Sequence, residues 1–446
     1  MKLSLTPLHF QKTSRGVTMK IIIQKFGGTS VRDEKSRLQA MKHIKQAIAE
    51  NYKVVVVVSA MGRKGDPYAT DTLLSLIENS HSFITKRESD LLLSCGEIIS
   101  SVVFTNMLVE YGIRATALTG AQAGFRTNHD YSNAKIVEMK CERIRKELEK
   151  HEVIVVAGFQ GAAKNGDVTT LGRGGSDTSA AALGVALNAE MIDIFTDVEG
   201  IMTADPRIVA NARPLILLTY TEVCNMAYQG AKVIHPRAVE IVMQAKIPIR
   251  IRSNESDNLG TLVTCFQREQ NKVDMNERLI TGIAHLSHIS QIKVFAKKNQ
   301  YNLQAEVFQA MANEGISVDF INIYPNGVTY TVTHEMTEKA ISILTSLGHY
   351  PKVERECAKV SVIGAGMQGV PGVASKIVTT LSEKEIRILQ SADSHTTIWV
   401  LVKQIDLVKA VNALHDAFHL EKIDSIIDPQ SSFSCKIGIN TVVKGV

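Results

Sequence analysis

The sequence KFGGTS at positions 25–30 follows directly on an apolar run at positions 21–23. A strand that ends in a pair of glycines can bring backbone N–H groups against a polyanion, because no Cβ holds the ligand away. The Lys25 ammonium adds a positive charge at the end of the same strand. This pattern indicates a phosphate-binding turn. An ordinary tight turn before a helix has the same short pattern, so the rest of the chain must decide between the two.

A second cluster, TTLGRGGSDTS, occupies positions 169–179 and leads into an alanine-rich helix at 180–186. One of the polar residues at 177–179 is expected to cap that helix, whose N-terminus favours an anionic group. The Arg173 guanidinium is a planar fork that suits a carboxylate or a phosphate. A capped helix beside a solvated arginine is the alternative, but it does not account for the two glycines that follow the arginine. The cluster therefore favours a ligand site.

The elements that position these loops alternate between strand and helix periods, which is typical of an α/β layer fold. Valines fill positions 54–58, and another apolar run at 153–159 leads into a glycine-rich loop. Runs that are apolar on both faces belong in the middle of a mostly parallel sheet. Ligands of such sheets collect at the carboxyl ends of the strands, so we expect the loops to converge.

Length and composition exclude several classes of protein. A chain of 446 residues with 45% hydrophobic and 21% charged residues is neither disordered nor a membrane protein, and its length suggests about three domains. The net charge is +5, but residues 1–18 hold three basic residues and no acid, and no basic stripe is interleaved with aromatics. Six scattered cysteines, without a CxxC pair, predict reduced thiols in a cytoplasm.

Both ends differ from the rest of the chain. Residues 1–18 have no apolar region of the length that a secretory signal needs, and Met19 directly precedes the first strand. We interpret 1–18 as a non-native extension upstream of the physiological start. A genuine disordered arm is the alternative. The tail at 421–446 is weakly patterned and is assigned no function.

The last third of the chain is a repeat. The helix and strand pattern at 306–318 recurs at 376–388, an offset of about seventy residues. Each unit is predicted to be βαββα, with leading strands at 291–295 and 359–363. A duplicated packing module without a ligand is the alternative to a pair of ligand-binding domains.

A further glycine-rich segment, VSVIGAGMQG at 360–369, imitates a dinucleotide-binding fingerprint between a strand and a helix. Too few residues follow it to build the six-stranded sheet of that fold. The repeat already assigns the same strand and helix, so we interpret the loop at 364–372 as one that faces an effector.

Six ordered motifs together resemble aspartate kinase (aspartokinase) of the amino-acid-kinase superfamily. The match spans roughly residues 19–420 and is most similar to the monofunctional, diaminopimelate-sensitive aspartokinase I class. The motifs are KFGGTS at 25, SAMG at 59, SCGE at 94, TLGRGGSDTSA at 170, FTDVEGIMTADPR at 195 and GAKVIHPRA at 230.

The resemblance implies an α/β protein with a three-layer αβα amino-acid-kinase fold and a C-terminal tandem ACT-type regulatory module, which is α+β and ferredoxin-like. The expected limits are 19–275 for the catalytic domain, 276–350 for the first ACT repeat and 351–420 for the second. The ACT pair would bind a small amino acid and is expected to form a homodimer.

The implied activity is transfer of a phosphoryl group from MgATP to L-aspartate, giving 4-phospho-L-aspartate. This is the first step of lysine, diaminopimelate, threonine and methionine biosynthesis. No nucleic-acid or membrane partner is expected. Another enzyme of the superfamily is one alternative, and a catalytically silent amino-acid sensor is another. A silent sensor would be expected to lack Lys25, Arg173 or Asp177, and all three are present.

The resemblance also implies a role for each matching residue. Lys25, Arg173 and Asp177 are the expected catalytic residues, with the Lys25 ammonium and the glycine amides on the transferred phosphoryl group and Asp177 orienting Lys25. Many relatives carry an aromatic residue where this chain has Met202, which puts a stacking contact there in doubt. No metal ligand is assigned to a side chain. The residues expected to bind ATP are Lys25, Phe26, Gly27, Gly28, Thr196, Asp197, Met202, Thr203, Ala204, Asp205, Pro206, Arg207, Lys232 and Val233.

On the substrate side, Arg173 is expected to clamp the α-carboxylate of aspartate while Glu97 takes its α-ammonium. Without the motif context, Glu97 and Lys232 would be interpreted as surface charges on helices. The residues expected to bind aspartate are Ser59, Thr70, Glu97, Arg173, Ser176 and Asp177.

The two repeats differ at the predicted effector loops. The second keeps a Pro-Gly turn at 371–372, whereas the corresponding loop at 298–302 lacks the Asp and the Pro-Gly of many lysine- or threonine-regulated relatives. This absence favours a different ligand or binding mode, and the resemblance to the aspartokinase I class implies meso-diaminopimelate as the effector. The expected effector residues are Asn299, Gln300, Ser317, Asp319, Gly366, Met367, Val370, Gly372 and Ser391.

Overall fold

The structure is a computed structural model that describes residues 19–77, 83–231, 233–265, 279–297, 301–365, 367 and 370–422. The extension at 1–18 and the tail from 423 onward lie outside these residues, so the interpretations of both ends stay predictions.

A central sheet of eight strands positions the predicted loops. Its order is β10-β12-β11-β9-β1-β2-β6-β3, and neighbouring strands are parallel except for β11 with β12. The valine run at 54–58 lies in β2 and is buried on both faces, which confirms the predicted parallel sheet. The strands are β1 (Ile21–Phe26), β2 (Lys53–Val58), β3 (Ala115–Leu118), β6 (Val153–Ala157), β9 (Met191–Thr196), β10 (Leu217–Thr219), β11 (Ile249–Ser253) and β12 (Thr261–Thr264).

A smaller sheet, ordered β5-β4-β7-β8, lies beside the large one and was not predicted from the sequence. Its strands have only three or four residues each, too few for the alternation of apolar residues to be recognised. They are β4 (Phe125–Thr127), β5 (Ile136–Met139), β7 (Gln160–Ala163) and β8 (Val168–Thr170).

Eight helices belong to this part of the described chain. Helices α2 and α4 pack on one face of the large sheet, and α5 to α8 pack on the other, which confirms the three-layer αβα fold. Helix α4 is long and apolar enough in composition to cross a membrane, but half of its apolar stretch is buried against the sheet, as in a core helix. The helices are α1 (Gly28–Val31), α2 (Glu34–Ala49), α3 (Thr70–Ser75), α4 (Lys86–Glu110), α5 (Glu142–Lys150), α6 (Gly175–Leu187), α7 (Tyr220–Tyr228) and α8 (Pro236–Ala245).

The C-terminal third folds as two βαββα units in one antiparallel sheet of order β14-β15-β13-β16-β18-β17, which confirms the predicted repeat. The first unit has β13 (Gly282–Phe295), α9 (Leu303–Asn313), β14 (Asp319–Tyr324), β15 (Gly327–Thr333) and α10 (Thr337–Ser346). The second has β16 (Lys352–Ile363), α11 (Val373–Glu383), β17 (Gln390–Asp393), β18 (Thr397–Lys403) and α12 (Leu407–Ala417).

The leading strands β13 and β16 are much longer than the five residues predicted for each. Both strands bend at a residue with a left-handed backbone, His288 in β13 and Glu356 in β16, with φ of 55° and 52°. Ile292 lies in the core of the first unit, whereas Ile283, on the same strand, lies in the core of the second. Each long strand therefore contributes to the cores of both units, whereas the predicted boundary at residue 350 assigns each strand to one unit.

Candidate active site

The turn after β1 lies against the loop that follows β2. The Gly62 N–H donates to the carbonyl of Gly28 at 2.9 Å. A Cβ placed on Gly28 would lie 2.5 Å from the Gly62 carbonyl oxygen and 2.6 Å from that of Ala60. Because both oxygens belong to the backbone, only glycine allows this approach. The KFGGTS and SAMG motifs therefore form one surface at the carboxyl edge of the sheet.

We expect Gly28→Ala to lower kcat at least about tenfold and to cost about 1–3 kcal/mol of unfolding free energy, because the added methyl group forces the two loops apart. Gly27→Ala is the matched stability control, since its Cβ would meet only ordinary contacts, with Lys25 Nζ at 3.6 Å. Urea unfolding of both variants measures the difference. Equal stability of the two would contradict the close approach at Gly28.

Helix α6 begins differently from the sequence prediction. Its N-cap is Gly174, with a left-handed backbone at φ 70°, and no side chain caps the helix, so the expected capping by Asp177, Thr178 or Ser179 is wrong. The hydroxyls of Thr178 and Ser179 donate to backbone carbonyls four residues earlier. Asp177 lies inside the first turn, where its carboxylate contacts Lys25 and the His235 N–H.

The Asp177 carboxylate forms an ion pair with Lys25. Lys25 Nζ lies 2.7 Å from Asp177 Oδ1, and the two side chains are 13% and 11% exposed. Asp177 Oδ2 also accepts a hydrogen bond from the His235 N–H at 3.2 Å. A buried pair of this kind fixes the direction of the lysine side chain, because both ions have left bulk water.

Glu97 lies on α4 and is 2% exposed, so it is not the surface charge that its sequence context alone would suggest. Its Oε1 accepts a hydrogen bond from the Ala60 N–H at 3.0 Å, and its Oε2 is buried with no partner among the described residues. Burial raises the pKa of Glu97 to about 8. The site thus holds a carboxyl group that a ligand cation would ionise.

The other residues expected to bind aspartate lie after β2, on α3 and at or just before the start of α6. Arg173 is exposed and makes no hydrogen bond or ion pair with the described residues, which leaves its guanidinium available. Ser176 lies in the first turn of α6, and its Cβ is close to Gly158 at the end of β6. Ser59 follows β2, and its N–H donates to the Phe26 carbonyl at 3.2 Å. Thr70 is the first residue of α3.

The residues expected to bind ATP divide into two groups. Thr196 ends β9 at the same edge, and Asp197 follows it, with its Oδ2 2.5 Å from Arg63 Nη2. Phe26 is fully buried and stacks on Phe195 with 4.6 Å between ring centroids, so only its backbone faces the turn. Val233 is half-buried, and Lys232 lies outside the described residues.

The loop at 202–207 leaves the cleft partway along. Thr203 is fully buried and its Oγ1 lies 3.0 Å from His415 Nε2 on α12, while Ala204 joins the core of the second ACT-type unit. The structure therefore does not bring these two side chains to the cleft. Met202 is half-buried, and Pro206 and Arg207 are exposed, with Arg207 Nη2 2.6 Å from Asp205 Oδ2.

The expected effector residues are scattered over the second sheet. Asn299, Gln300 and Gly366 lie outside the described residues. Met367 is 6% exposed and belongs to the core of the second unit, so its side chain does not reach a surface. The others are exposed, namely Ser317, Asp319, Val370, Gly372 and Ser391.

The two edge strands of this sheet, β14 and β17, are linked by a hydrogen bond between Gln390 and Phe320. Gln390 Nε2 donates to the Phe320 carbonyl at 2.5 Å, and Gln291 Nε2 donates to Gln390 Oε1 at 2.7 Å. Lys359, whose side chain is 4% exposed, forms an ion pair with Asp319. Residues of both units therefore border one polar region.

Sequence reasoning assigned no role to Arg63, His235 and Arg237. Burial lowers the pKa of His235, and its Nδ1 accepts from the Arg237 N–H at 3.3 Å at the start of α8. Arg237 Nη1 donates to the Leu171 carbonyl at 3.2 Å, next to the arginine loop. The only sequence feature that pointed to His235 and Arg237 was the GAKVIHPRA motif at 230, which contains both residues.

The sequence is similar to known proteins in both its N-terminal and its C-terminal part. The sequence model of the amino acid kinase family matches residues 20–253, and that of an ACT domain matches residues 352–416. The chain is 67% identical over 404 residues to Aspartokinase 1 of Bacillus subtilis (strain 168), a match that covers 91% of this chain and 100% of that protein.

Two solved structures of E. coli aspartokinase III are similar over 89% of this chain and 99% of theirs. The complex with aspartate and ADP, described as the R-state, has a TM-score of 0.72 at 26% identity. The complex with lysine and aspartate, described as the T-state, has a TM-score of 0.70 at 28% identity.

Proposed function

The chain belongs to the amino acid kinase family, as one of its aspartokinases, and from this premise we propose how its own residues carry out the phosphoryl transfer. Aspartate kinases transfer the γ-phosphoryl group of ATP to the β-carboxylate of L-aspartate. The observation that carries the assignment of residues is the Lys25–Asp177 ion pair, which lies between the Gly27–Gly28 turn and the first turn of α6.

The acceptor needs no general base, because a carboxyl group with a pKa of about 3.9 is already ionised at neutral pH. The obstacle is repulsion between an anionic nucleophile and an anionic triphosphate, which cations and fixed backbone donors relieve. We assign the Lys25 ammonium and the amides of the Gly27–Gly28 turn to the transferred phosphoryl group. Asp177 holds the lysine in place and does not itself react.

Selection of an amino acid requires partners for both of its charged α-groups. We assign the α-carboxylate to Arg173, whose guanidinium is exposed and unpaired within the described residues. The α-ammonium is assigned to Glu97, whose buried Oε2 has no partner among the described residues. Ser59, Thr70 and Ser176 border the same space. Two opposite charges at a fixed separation favour an α-amino acid over a simple carboxylate.

On the nucleotide side we propose Thr196, Asp197, Met202 and the exposed residues of the loop at 205–207, with Lys232 and Val233. Thr203 and Ala204 contribute only through the backbone path of this loop. Mg²⁺ is proposed to enter with the phosphates of ATP, where it would offset their charge, and no side-chain ligand is assigned to it. The glycine-lined turn and the Lys25 ammonium fit a triphosphate.

A hydroxamate assay tests this function. MgATP and hydroxylamine are incubated with the enzyme and, in separate reactions, with L-aspartate, L-glutamate, N-acetyl-L-glutamate or no acceptor. We expect hydroxamate from L-aspartate at a rate at least about a hundredfold above the other acceptors. Comparable product from N-acetyl-L-glutamate would contradict the role of Glu97, since that acceptor has no ammonium group.

The regulatory ligand is proposed to be meso-diaminopimelate, bound by the ACT-type units and coupled to the kinase site. Two features support this choice. The loop at 298–302 lacks the Asp and Pro-Gly of many lysine- or threonine-regulated relatives. Asp319, which could meet an effector ammonium, is already paired with Lys359, and the second carboxylate of diaminopimelate, which lysine and threonine lack, would give that lysine a new partner.

We expect calorimetry to detect binding of meso-diaminopimelate and none of lysine or threonine alone. If the effector lowers substrate affinity, aspartate must weaken effector binding by the same factor. Lys359→Met should reduce effector binding, while Lys352→Met, an exposed lysine at the start of the same strand, serves as the control. Binding of lysine with diaminopimelate silent would overturn this assignment.

We also propose a homodimer through the first ACT-type unit and a cytoplasmic location. Strand β14 is an edge of its sheet, and its Ile321 and Ile323 are 44% and 62% exposed, which favours coverage by a second copy. The described cysteines are all free, which suits a reducing compartment. Sedimentation equilibrium checks the dimer.

A further inference from the structure

Asp90 is a fully buried carboxylate that the phosphoryl transfer proposed above does not use. It lies in the second turn of α4 and accepts four hydrogen bonds. Its Oδ2 accepts from the backbone N–H groups of Ser132, at 2.9 Å, and Thr170, at 2.8 Å. Its Oδ1 accepts from the hydroxyls of the same two residues, at 3.2 and 2.8 Å.

The two backbone N–H groups can only donate, so they require an acceptor oxygen at the Oδ2 position. The two hydroxyls on Oδ1 can donate or accept, so an asparagine could keep all four contacts, whereas an alanine would keep none. No cation pairs with Asp90 among the described residues. Ser132 has a left-handed backbone, with φ 69°, which this contact helps to hold.

The contact fixes the start of the arginine loop. Thr170 ends β8, and Arg173 follows only three residues later. The other end of the loop is closed by a hydrogen bond from the Gly175 N–H to the Gly172 carbonyl, at 3.0 Å. With Gly172 and Gly174 both in left-handed conformations, the path between the two anchors is short and specific. A shift of Thr170 therefore moves the Arg173 guanidinium.

The same helix carries the other end of the substrate site. Glu97 is seven residues after Asp90, so both side chains lie on one face of α4, about 10.5 Å apart along its axis. We propose that Asp90 is a positioning residue for the amino-acid substrate. It sets the distance between the carboxylate-binding Arg173 and the ammonium-binding Glu97. This inference rests on the proposed roles of those two residues.

Asp90→Ala removes the acceptor of all four hydrogen bonds and tests the proposal in the full-length enzyme. We expect KM for aspartate to rise about tenfold or more, with KM for ATP and kcat changed less than about threefold, because only the α-carboxylate contact is displaced. Thr170→Val removes one of the four donors and should raise KM for aspartate about threefold, which provides a second measurement if Asp90→Ala does not fold. Asp167→Ala is the matched control.

The control removes a different link, between α4 and the turn that joins β7 to β8, since Asp167 Oδ1 lies 2.9 Å from Arg87 Nη2 at the surface. It should leave KM for aspartate unchanged. Equal increases in the two KM values for Asp90→Ala, or the same increase for Asp167→Ala, would overturn the proposal in favour of a general effect on the fold.

A double-mutant cycle with Arg173→Lys separates this inference from the proposed function. If Asp90 acts through Arg173, the double variant should have nearly the KM for aspartate of Arg173→Lys alone. Fully additive effects would contradict the link between the two residues. If Arg173→Lys itself leaves KM for aspartate unchanged, the assignment of Arg173 fails, and with it the route by which Asp90 is proposed to act.

Discussion

Replacing Lys25 by alanine should lower kcat by roughly 10²–10³-fold, because it removes the cation proposed to stabilise charge on the transferred phosphoryl group. The turn that carries the glycine amides is held by backbone contacts to Gly62, so it should survive the substitution. KM values for both substrates should change much less than kcat. Steady-state kinetics at saturating ATP and aspartate measure the effect.

The structure adds a complication that the experiment must address. Asp177 is 11% exposed and would lose its ion-pair partner, which destabilises the fold as well as the site. Lys25→Met combined with Asp177→Asn replaces the charged pair by a neutral one and should recover most of the unfolding free energy, while kcat stays low. Lys20→Ala, which breaks an exposed ion pair with Glu190, is the control for activity.

Near-normal kcat in Lys25→Ala would remove this residue from the mechanism. Recovery of kcat together with stability in the double variant would show that the ion pair supports the fold and has no part in the chemistry.

Glu97→Gln should raise KM for aspartate by roughly 10–100-fold and leave KM for ATP nearly unchanged. The glutamine can still accept the Ala60 N–H hydrogen bond, but it cannot neutralise a substrate ammonium in a buried site. A rise in KM for aspartate without a rise in KM for ATP would show that Glu97 contacts aspartate. Equal increases in both would place Glu97 on the wrong side of the cleft.

The pH dependence of KM tests the same residue independently. Burial raises the pKa of Glu97 to about 8, so in the free enzyme the group is mostly protonated at neutral pH. Aspartate binds the ionised form, and KM for aspartate should therefore fall as pH rises from about 6.5 to about 8, by up to tenfold per pH unit. KM for aspartate in Glu97→Gln should not change over this range.

Sequence patterns predicted most of the fold because its main elements are locally encoded. The valine run identified β2 as a strand buried on both faces, and parallel strands bring the loops after β1, β2, β6 and β9 to one edge. The repeat predicted two βαββα units for the same reason. The sharing of β13 and β16 between both units was not predicted, because it depends on which core each half of a strand enters.

The candidate site shows the same division between local and long-range causes. Local sequence suggested Asp177, Thr178 or Ser179 as the cap of α6, which is wrong. The pairing of Asp177 with Lys25 was implied only by the family resemblance, because the two residues are distant in sequence and adjacent only in the folded chain. Thr203 was expected at the nucleotide, but α12 of the second ACT-type unit covers it. Asp90 gave no signal beyond its spacing from Glu97 on one helix face. In each case a distant partner decided the position of the side chain.

The most direct test of the central claim follows the oxygen atoms of the acceptor. L-Aspartate labelled with ¹⁸O in both oxygens of its β-carboxylate is incubated with MgATP, hydroxylamine and the enzyme, and the products are examined by mass spectrometry. One labelled oxygen attacks the γ-phosphorus, and hydroxylamine then expels phosphate from the carbonyl carbon. We expect one ¹⁸O in the released phosphate and one in aspartate β-hydroxamate. Unlabelled phosphate would contradict attack by the β-carboxylate. The same contradiction would follow if a control sample, labelled in the α-carboxylate instead, released labelled phosphate.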